Sequence, residues 1–279
     1  MIKGNRLSKE SKSLKKALSP SFKNSAMKFL RFRSNKDARV YSGLLEDDTV
    51  YEIQGDFFEE YKINRNKHLL SEIRFLPPCS PTKIVAVGLN YRDHAQEMKK
   101  SIPEEPLLFM KPSTAIAGHE DRIIYPKHMS SRLDYEGELA LIIGKKAKWV
   151  DEREAFDYVF GYTCINDITA RDLQIKDVQY TRAKGFDTFA PIGPVIETSL
   201  DPSDLEISTF LNGERKQHSR TSQLVFSIPK LIAFITRVMT LLPGDVIATG
   251  TPSGIGQMKK GDMVEVKVEG IGILRNYID

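Results

Sequence analysis

Apolar and polar positions alternate along Leu133–Gly144. Leu133, Tyr135, Leu139, Leu141 and Ile143 share one parity, which in an extended chain is one face. Asp134, Glu136 and Glu138 fall on the other face. Beyond Glu138 both faces become apolar, so the pattern predicts a strand running from an acidic mouth into a core. Neighbouring carboxylates at such a mouth repel one another and lose hydration as the core begins. Either they face open water beside a Lys or Arg, or a cation sits on them. Hard oxygen donors favour Mg²⁺, Mn²⁺ or Ca²⁺ over Zn²⁺. Gly137, between two carboxylates, is the kind of bare strand position where backbone or ligand comes close.

The same reading extends along the chain. Strand-like runs at Lys28–Arg33, Val40–Leu45 and Thr49–Ile53, with the turn signal Glu46-Asp47-Asp48, predict a small β-rich module. It ends near Pro77-Pro78, and the double proline with Pro81 reads as a linker. Lys83–Gly88 reads as a buried strand by its β-branched content, and Asn90 to Lys100 reads as a short helix. Leu107–Lys111 is a strand stopped by Pro112, and Arg122–Tyr125 is another. Val159–Asn166 is a buried strand that delivers Asp167 at its end. Leu205 to Gln217 folds back around Asn212-Gly213, the strongest short hairpin signal. Ser227–Ile235 is the clearest helix, with Ser227 at the cap and Pro229 in the first turn. Met263–Val268 alternates as a final strand. Many short strands with few helices predict a mainly β (α+β) fold built on a mixed or barrel-like sheet.

Charge divides the chain. Residues 1–26 hold seven basic groups and one acid, whereas the whole chain carries +4, so the remainder is slightly acidic and not a nucleic-acid binder by charge. The expected organisation is a basic, disordered tail at 1–26, a β-rich domain at 27–78 and a main domain at 79–279. The tail reads as a transit peptide or as sequence upstream of a start at Met27. No apolar run is long enough for a membrane span. Cys79 and Cys164 stand far apart without a Cys-x-x-Cys, which fits a reducing, cytoplasmic setting, or a mitochondrial one if the tail is a transit peptide.

Four further features could carry chemistry. His94 and Glu97 are three apart on one helical face, as a water-activating pair or as a plain surface contact. Lys184 lies among apolar groups, as a cation for an anionic substrate or as a snorkelling lysine. Lys111 is a weaker candidate of the same kind. Gly250-Thr251-Pro252-Ser253-Gly254 is a tight loop that lacks the phosphate-loop ending. Gly-x-Ser-x-Gly and a Gly-x-Gly-x-x-Gly after a strand are both absent, which leaves serine-hydrolase and nucleotide readings with little support.

Five motifs in order (Val87–His94, Leu133–Leu139, Asn166–Gln174, Lys184–Phe189 and Gly250–Gly254) resemble the fumarylacetoacetate hydrolase family, and the likeness spans about residues 83–276. The N-terminal module resembles the small extra domain of many bacterial members. The resemblance implies a rolled mixed sheet, a homodimer, and a divalent metal, usually Mg²⁺ with Mn²⁺ as the alternative, held by Glu136, Glu138 and Asp167. It implies that His94 and Glu97 form the catalytic dyad, with Lys184 beside them, and that Gln174, Thr251 and Arg171 meet the substrate. The activity it implies is cleavage of a carbon–carbon bond in a 1,3-dicarbonyl acid such as an acylpyruvate or fumarylpyruvate, releasing pyruvate or a related 2-oxo acid. Decarboxylation of a 2-oxo diacid, isomerisation of a 2-hydroxyhepta-2,4-diene-1,7-dioate type of substrate, and a non-catalytic metal-binding role stand as alternatives. The chain departs from some acylpyruvate-hydrolysing relatives at Leu89, where they carry Arg.

Overall fold

The computed structural model describes residues 27–99 and 101–279; the predicted tail at 1–26 lies outside the described residues. The fold is mostly β. Strands β1 (Lys28–Ser34), β2 (Val40–Glu46), β3 (Thr49–Gly55), β4 (Tyr61–Leu69) and β5 (Ile73–Leu76) form the N-terminal meander. The last two were not visible in the sequence, because β4 is largely polar and has no core-facing alternation. Then come β6 (Ile84–Gly88), helix α1 (Arg92–Glu97), β7 (Leu107–Lys111), β8 (Ile116–Ala117) and β9 (Arg122–Ile123).

The expected single strand at 133–144 is two strands, β10 (Leu133–Tyr135) and β11 (Gly137–Ile143), with Glu136 at the break. β10 pairs with β13 (Thr169–Ala170) and β18 (Gly256–Met258) in a small sheet. β11 enters the large sheet between β12 (Val159–Asn166) and β17 (Val246–Ala248). The chain therefore changes sheets at Glu136, a corner that a two-residue period does not reveal. Helices α2 (Arg171–Lys176) and α3 (Thr181–Lys184) lead to β14 (Ala190–Glu197). The Asn212-Gly213 hairpin is present as β15 (Glu206–Leu211) and β16 (Glu214–Arg220). With β19 (Met263–Val268), β20 (Gly272–Ile278) and β9 they form a five-stranded sheet.

The large sheet runs β4-β3-β2-β1-β14-β12-β11-β17-β6-β7 and is mixed, with β17 parallel to β6 and the rest of that path antiparallel. β1 pairs with β14, so the N-terminal meander and the body share one sheet across the proline segment.

Both faces of β11 are covered, as its apolar run requires. Leu139, Leu141 and Ile143 pack into a core with Ile207 and Val266 and with Leu231 and Ile232 of helix α4 (Ile228–Val238). Ala140 and Ile142 pack on the opposite side with Phe29, Ile84 and Ile196. Each such aliphatic side chain contributes about 1.5–3 kcal/mol on burial. Ser227 sits at the N-cap of α4, but its side chain makes no capping bond. Packing of the apolar face holds this helix, not the cap expected from sequence.

Candidate active site

β11 and β12 form an antiparallel pair in which Gly137 stands opposite Asn166. That register closes the gap between Glu138 and Asp167. The Asp167 amide donates to the Glu136 carbonyl at 2.8 Å, and the Glu136 amide donates to Asn166 Oδ1 at 2.9 Å. As a result, one carboxylate oxygen each from Glu136, Glu138 and Asp167 lies within 4.8 Å of the others, and all three residues are buried.

Cations surround two of the three. Lys184 Nζ donates to Glu136 Oε2 at 2.8 Å and to Asp167 Oδ2 at 2.6 Å. It is fully enclosed, so it does not snorkel. Lys111 Nζ reaches Asp167 Oδ1 at 2.5 Å and the Ile168 carbonyl at 3.1 Å. Arg171 Nη2 reaches Glu136 Oε1 at 2.5 Å, and its Nε reaches Asp134 Oδ2 at 2.9 Å. Arg132 holds the other Asp134 oxygen at 3.0 Å. Among the described residues, Glu138 accepts a hydrogen bond only from the Gly250 amide, at 2.7 Å. A side chain at Gly250, whose φ is +106°, would strike Asn90.

The protonation equilibria follow this layout. Burial pushes the Glu136 carboxyl up, but Lys184 and Arg171 outweigh it and hold it well below the ordinary range. For Glu138, burial, Asp167 and Glu136 all push upward, and the carboxyl stands well above its ordinary value. Burial lowers Lys184, yet Asp167 and Glu136 together leave it raised. Burial lowers Lys111 and outweighs the pull of Asp167, and the Lys184 charge beside it pushes the same way as burial.

His94 and Glu97 lie on α1, with Nδ1 3.0 Å from Glu97 Oε2. Glu97 Oε1 accepts the Gly254 amide at 2.9 Å, which ties the pair to the 250–254 loop. The ring nitrogen left for a substrate is Nε2. His94, the three carboxylates, Arg171, Gln174, Lys184 and Thr251 line one pocket. Arg171 Nη1 donates to Gln174 Oε1. The Thr251 hydroxyl donates to the Gly137 carbonyl at 2.9 Å, so its proton is committed to the backbone. Leu89, Met98, Leu107 and Phe109 form an apolar wall.

Sequence reading undervalued Lys111, whose only signal was a lysine ending an apolar strand. Asp134, grouped by parity with Glu136 and Glu138, is held instead by Arg132 and Arg171; Asn166 and Gln217, polar residues in strands, look unremarkable until their neighbours are known.

Residues 83–279 match the family model described as fumarylacetoacetate (FAA) hydrolase C-terminal, and residues 27–78 match Rv2993c-like, N-terminal. This chain belongs to the fumarylacetoacetate hydrolase family. Among family members, it is 44% identical over 223 residues to "Oxaloacetate tautomerase YisK" of Bacillus subtilis, covering 75% of this chain and 74% of that protein. It is 41% identical over 220 residues to "Oxaloacetate tautomerase Fahd2a, mitochondrial" of Rattus norvegicus, covering 75% of this chain and 70% of that protein. The structure titled 5-carboxymethyl-2-hydroxymuconate delta-isomerase from Mycobacterium smegmatis superposes with a TM-score of 0.84 at 42% identity, covering 90% of this chain and 99% of that one.

The family's divalent metal fits the residues present. Three buried hard-oxygen donors converge, and among the described residues Glu138 has no cationic partner. A cation shared by the three would remove the repulsion that raises the Glu138 carboxyl. The arrangement also offers an ammonium at the carboxylates and an imidazole across the pocket, which suits chemistry that develops negative charge on an oxygen. Among the described residues, no helix is long and apolar enough to cross a membrane.

Proposed function

We propose that this chain interconverts the enol and keto forms of a small 2-oxo dicarboxylic acid of the oxaloacetate kind. The observation that carries the reading is the convergence on one pocket of three buried carboxylates, Lys184 and His94, whose Nδ1 is held by Glu97. The names of two relatives above 40% identity favour this substrate class.

A divalent cation, Mg²⁺ or Mn²⁺, held by Glu136, Glu138 and Asp167 would supply Lewis acidity to the 2-oxo acid end. Lys184 would stabilise negative charge as it develops on the enolate oxygen, where preorganised charge lowers a barrier most. Arg171, with Gln174 against it, would take a carboxylate of the substrate. His94 Nε2 would carry the proton to or from the carbon beside the carbonyl, its ring oriented through Nδ1 by Glu97. The apolar wall would keep bulk water from that carbon.

Hydrolysis of an acylpyruvate carbon–carbon bond is a second reading. It is favoured by the His94–Glu97 contact itself, which is the geometry of a base that activates water.

The decisive assay follows the ultraviolet absorbance of enol oxaloacetate with Mg²⁺ or Mn²⁺, while mass spectrometry tracks products from oxaloacetate and a set of acylpyruvates. The expected result is EDTA-sensitive loss of the enol without a change in mass. Lys184→Met should lower kcat at least about 100-fold. Faster release of pyruvate and a carboxylic acid from an acylpyruvate would replace the tautomerase reading with hydrolysis, and CO₂ as the main product would replace both.

A further inference from the structure

The hairpin strand β16 contributes two buried side chains whose contacts lead to the site from outside the pocket. Gln217 and Ser219 are two apart, so they leave the strand on one face. Gln217 is 1% exposed. Its Oε1 accepts the Gly137 amide at 2.9 Å. Its Nε2 donates to Thr251 Oγ1 at 2.9 Å and to the Pro252 carbonyl at 2.8 Å. Thr251 in turn donates to the Gly137 carbonyl. The peptide groups around Gly137, between Glu136 and Glu138, are thus held on both sides, and the 250–254 loop is tied to them. That loop carries the Gly254 amide, which binds Glu97. Ser219 Oγ donates to Asp93 Oδ2 at 2.8 Å, and Asp93 Oδ1 accepts the His94 amide at 2.7 Å.

We infer that Gln217 is a positioning residue, assisted by Ser219, that locks the His94–Glu97 pair at a fixed distance from the carboxylate triad. The inference rests on the proton-transfer role proposed above for His94. Only an amide of this length meets the demands of the position. One atom must accept from Gly137 and the other must donate twice. A glutamate would lose both donors and add a buried carboxylate next to three others. An apolar side chain would leave the Gly137 amide and the Pro252 carbonyl unpaired in the interior. α1 is a helix of six residues, too short to hold its own geometry, so its catalytic side chains take their position from what is bonded to them.

The test is a kinetic cycle of Gln217→Met, Glu97→Ala and the double variant on enol oxaloacetate, with hydrogen exchange of each protein read by mass spectrometry. Gln217→Met alone is expected to lower kcat at least about 30-fold, with KM changed by less than about threefold, as misplacement of a reacting group does. In the Glu97→Ala background the same change should lower kcat by less than about threefold, since the tie from the 250–254 loop to His94 through Glu97 is already cut. Exchange should quicken at 92–97 and 250–254 while 139–143 remains at the wild-type rate. Ser219→Ala, a milder change, should quicken 92–97 alone. Equal losses in both backgrounds, or exchange that is unaltered or quickened throughout, overturn the inference. If Gln217→Met does not fold, Ser219→Ala decides by the same two readouts. A wild-type protein without activity on the enol defeats the proposed function, and the exchange pattern then judges the brace independently.

Discussion

Glu136 and Asp167 each meet an ammonium, whereas Glu138, among the described residues, is bonded to a backbone amide alone. Without a metal, Glu138 is therefore the group that binds a proton more tightly folded than unfolded. Such a group stabilises the fold below its unfolded value, and that contribution fades as pH rises toward the elevated folded value. In EDTA, Tm should fall as pH is raised from about 4.5 upward. Mg²⁺ should remove that slope and, at 100 times its Kd, add about 2.7 kcal/mol. Glu138→Gln should also flatten the slope in EDTA while abolishing the Mg²⁺ effect. A Tm that ignores both pH and metal would reject the triad as a cation site. Gly137 is constrained differently. A methyl there would sit 2.1 Å from Thr209 Oγ1. Gly137→Ala should destabilise by about 2–3 kcal/mol in urea denaturation. Adding Thr209→Ala should recover part of that loss, and identical midpoints with and without it would show the clash to be unimportant.

At the scale of elements, the site depends on short pieces that cannot hold themselves. α1 is preceded by Leu89 at a φ of +54° and by Asn90, which is completely buried. Asn90 Oδ1 accepts the Phe226 amide at 2.8 Å, and Nδ2 donates to the Thr249 carbonyl at 2.8 Å. One side chain thus joins the approach to α1 with the segment leading into α4 and with the end of β17. Asn90→Ala leaves these groups without partners and should cost about 3 kcal/mol, measured by urea denaturation. A midpoint equal to the wild type would mean that water replaces the amide without loss. This junction was not readable from sequence, where Asn90 stood only as the start of a helix. The helix itself was readable, because its polar start and its His94/Glu97 spacing are local features.

At the scale of the molecule, the N-terminal meander is an extension of the main sheet. β1 lies against β14, and Phe29, Phe57 and Phe58 cluster with Phe160 of the body at centroid distances from 4.7 to 5.5 Å. Removing residues 27–78 would leave an edge of β14 unpaired and bare an aromatic face, which is a template for association. A chain of residues 79–279 should therefore form large aggregates in size-exclusion chromatography. A soluble truncated chain with the Tm of the whole protein would show that the meander adds nothing to the body.

Local pattern determined much of this protein. The parity of Glu136 and Glu138 placed two carboxylates together, the apolar run after them required a strand covered on both sides, and Asn212-Gly213 specified its hairpin. Those features depend on residues a few positions apart, where backbone geometry alone decides which side chains share a face. Tertiary structure decided the rest. It broke the acidic strand at Glu136, because the chain there passes from one sheet to another. It buried Lys111 against Asp167 and gave Gln217 its three partners, through contacts across 56 and up to 80 residues of chain. Such contacts are set by sheet order and register, and those follow from how the whole apolar surface is buried, not from any local run of residues.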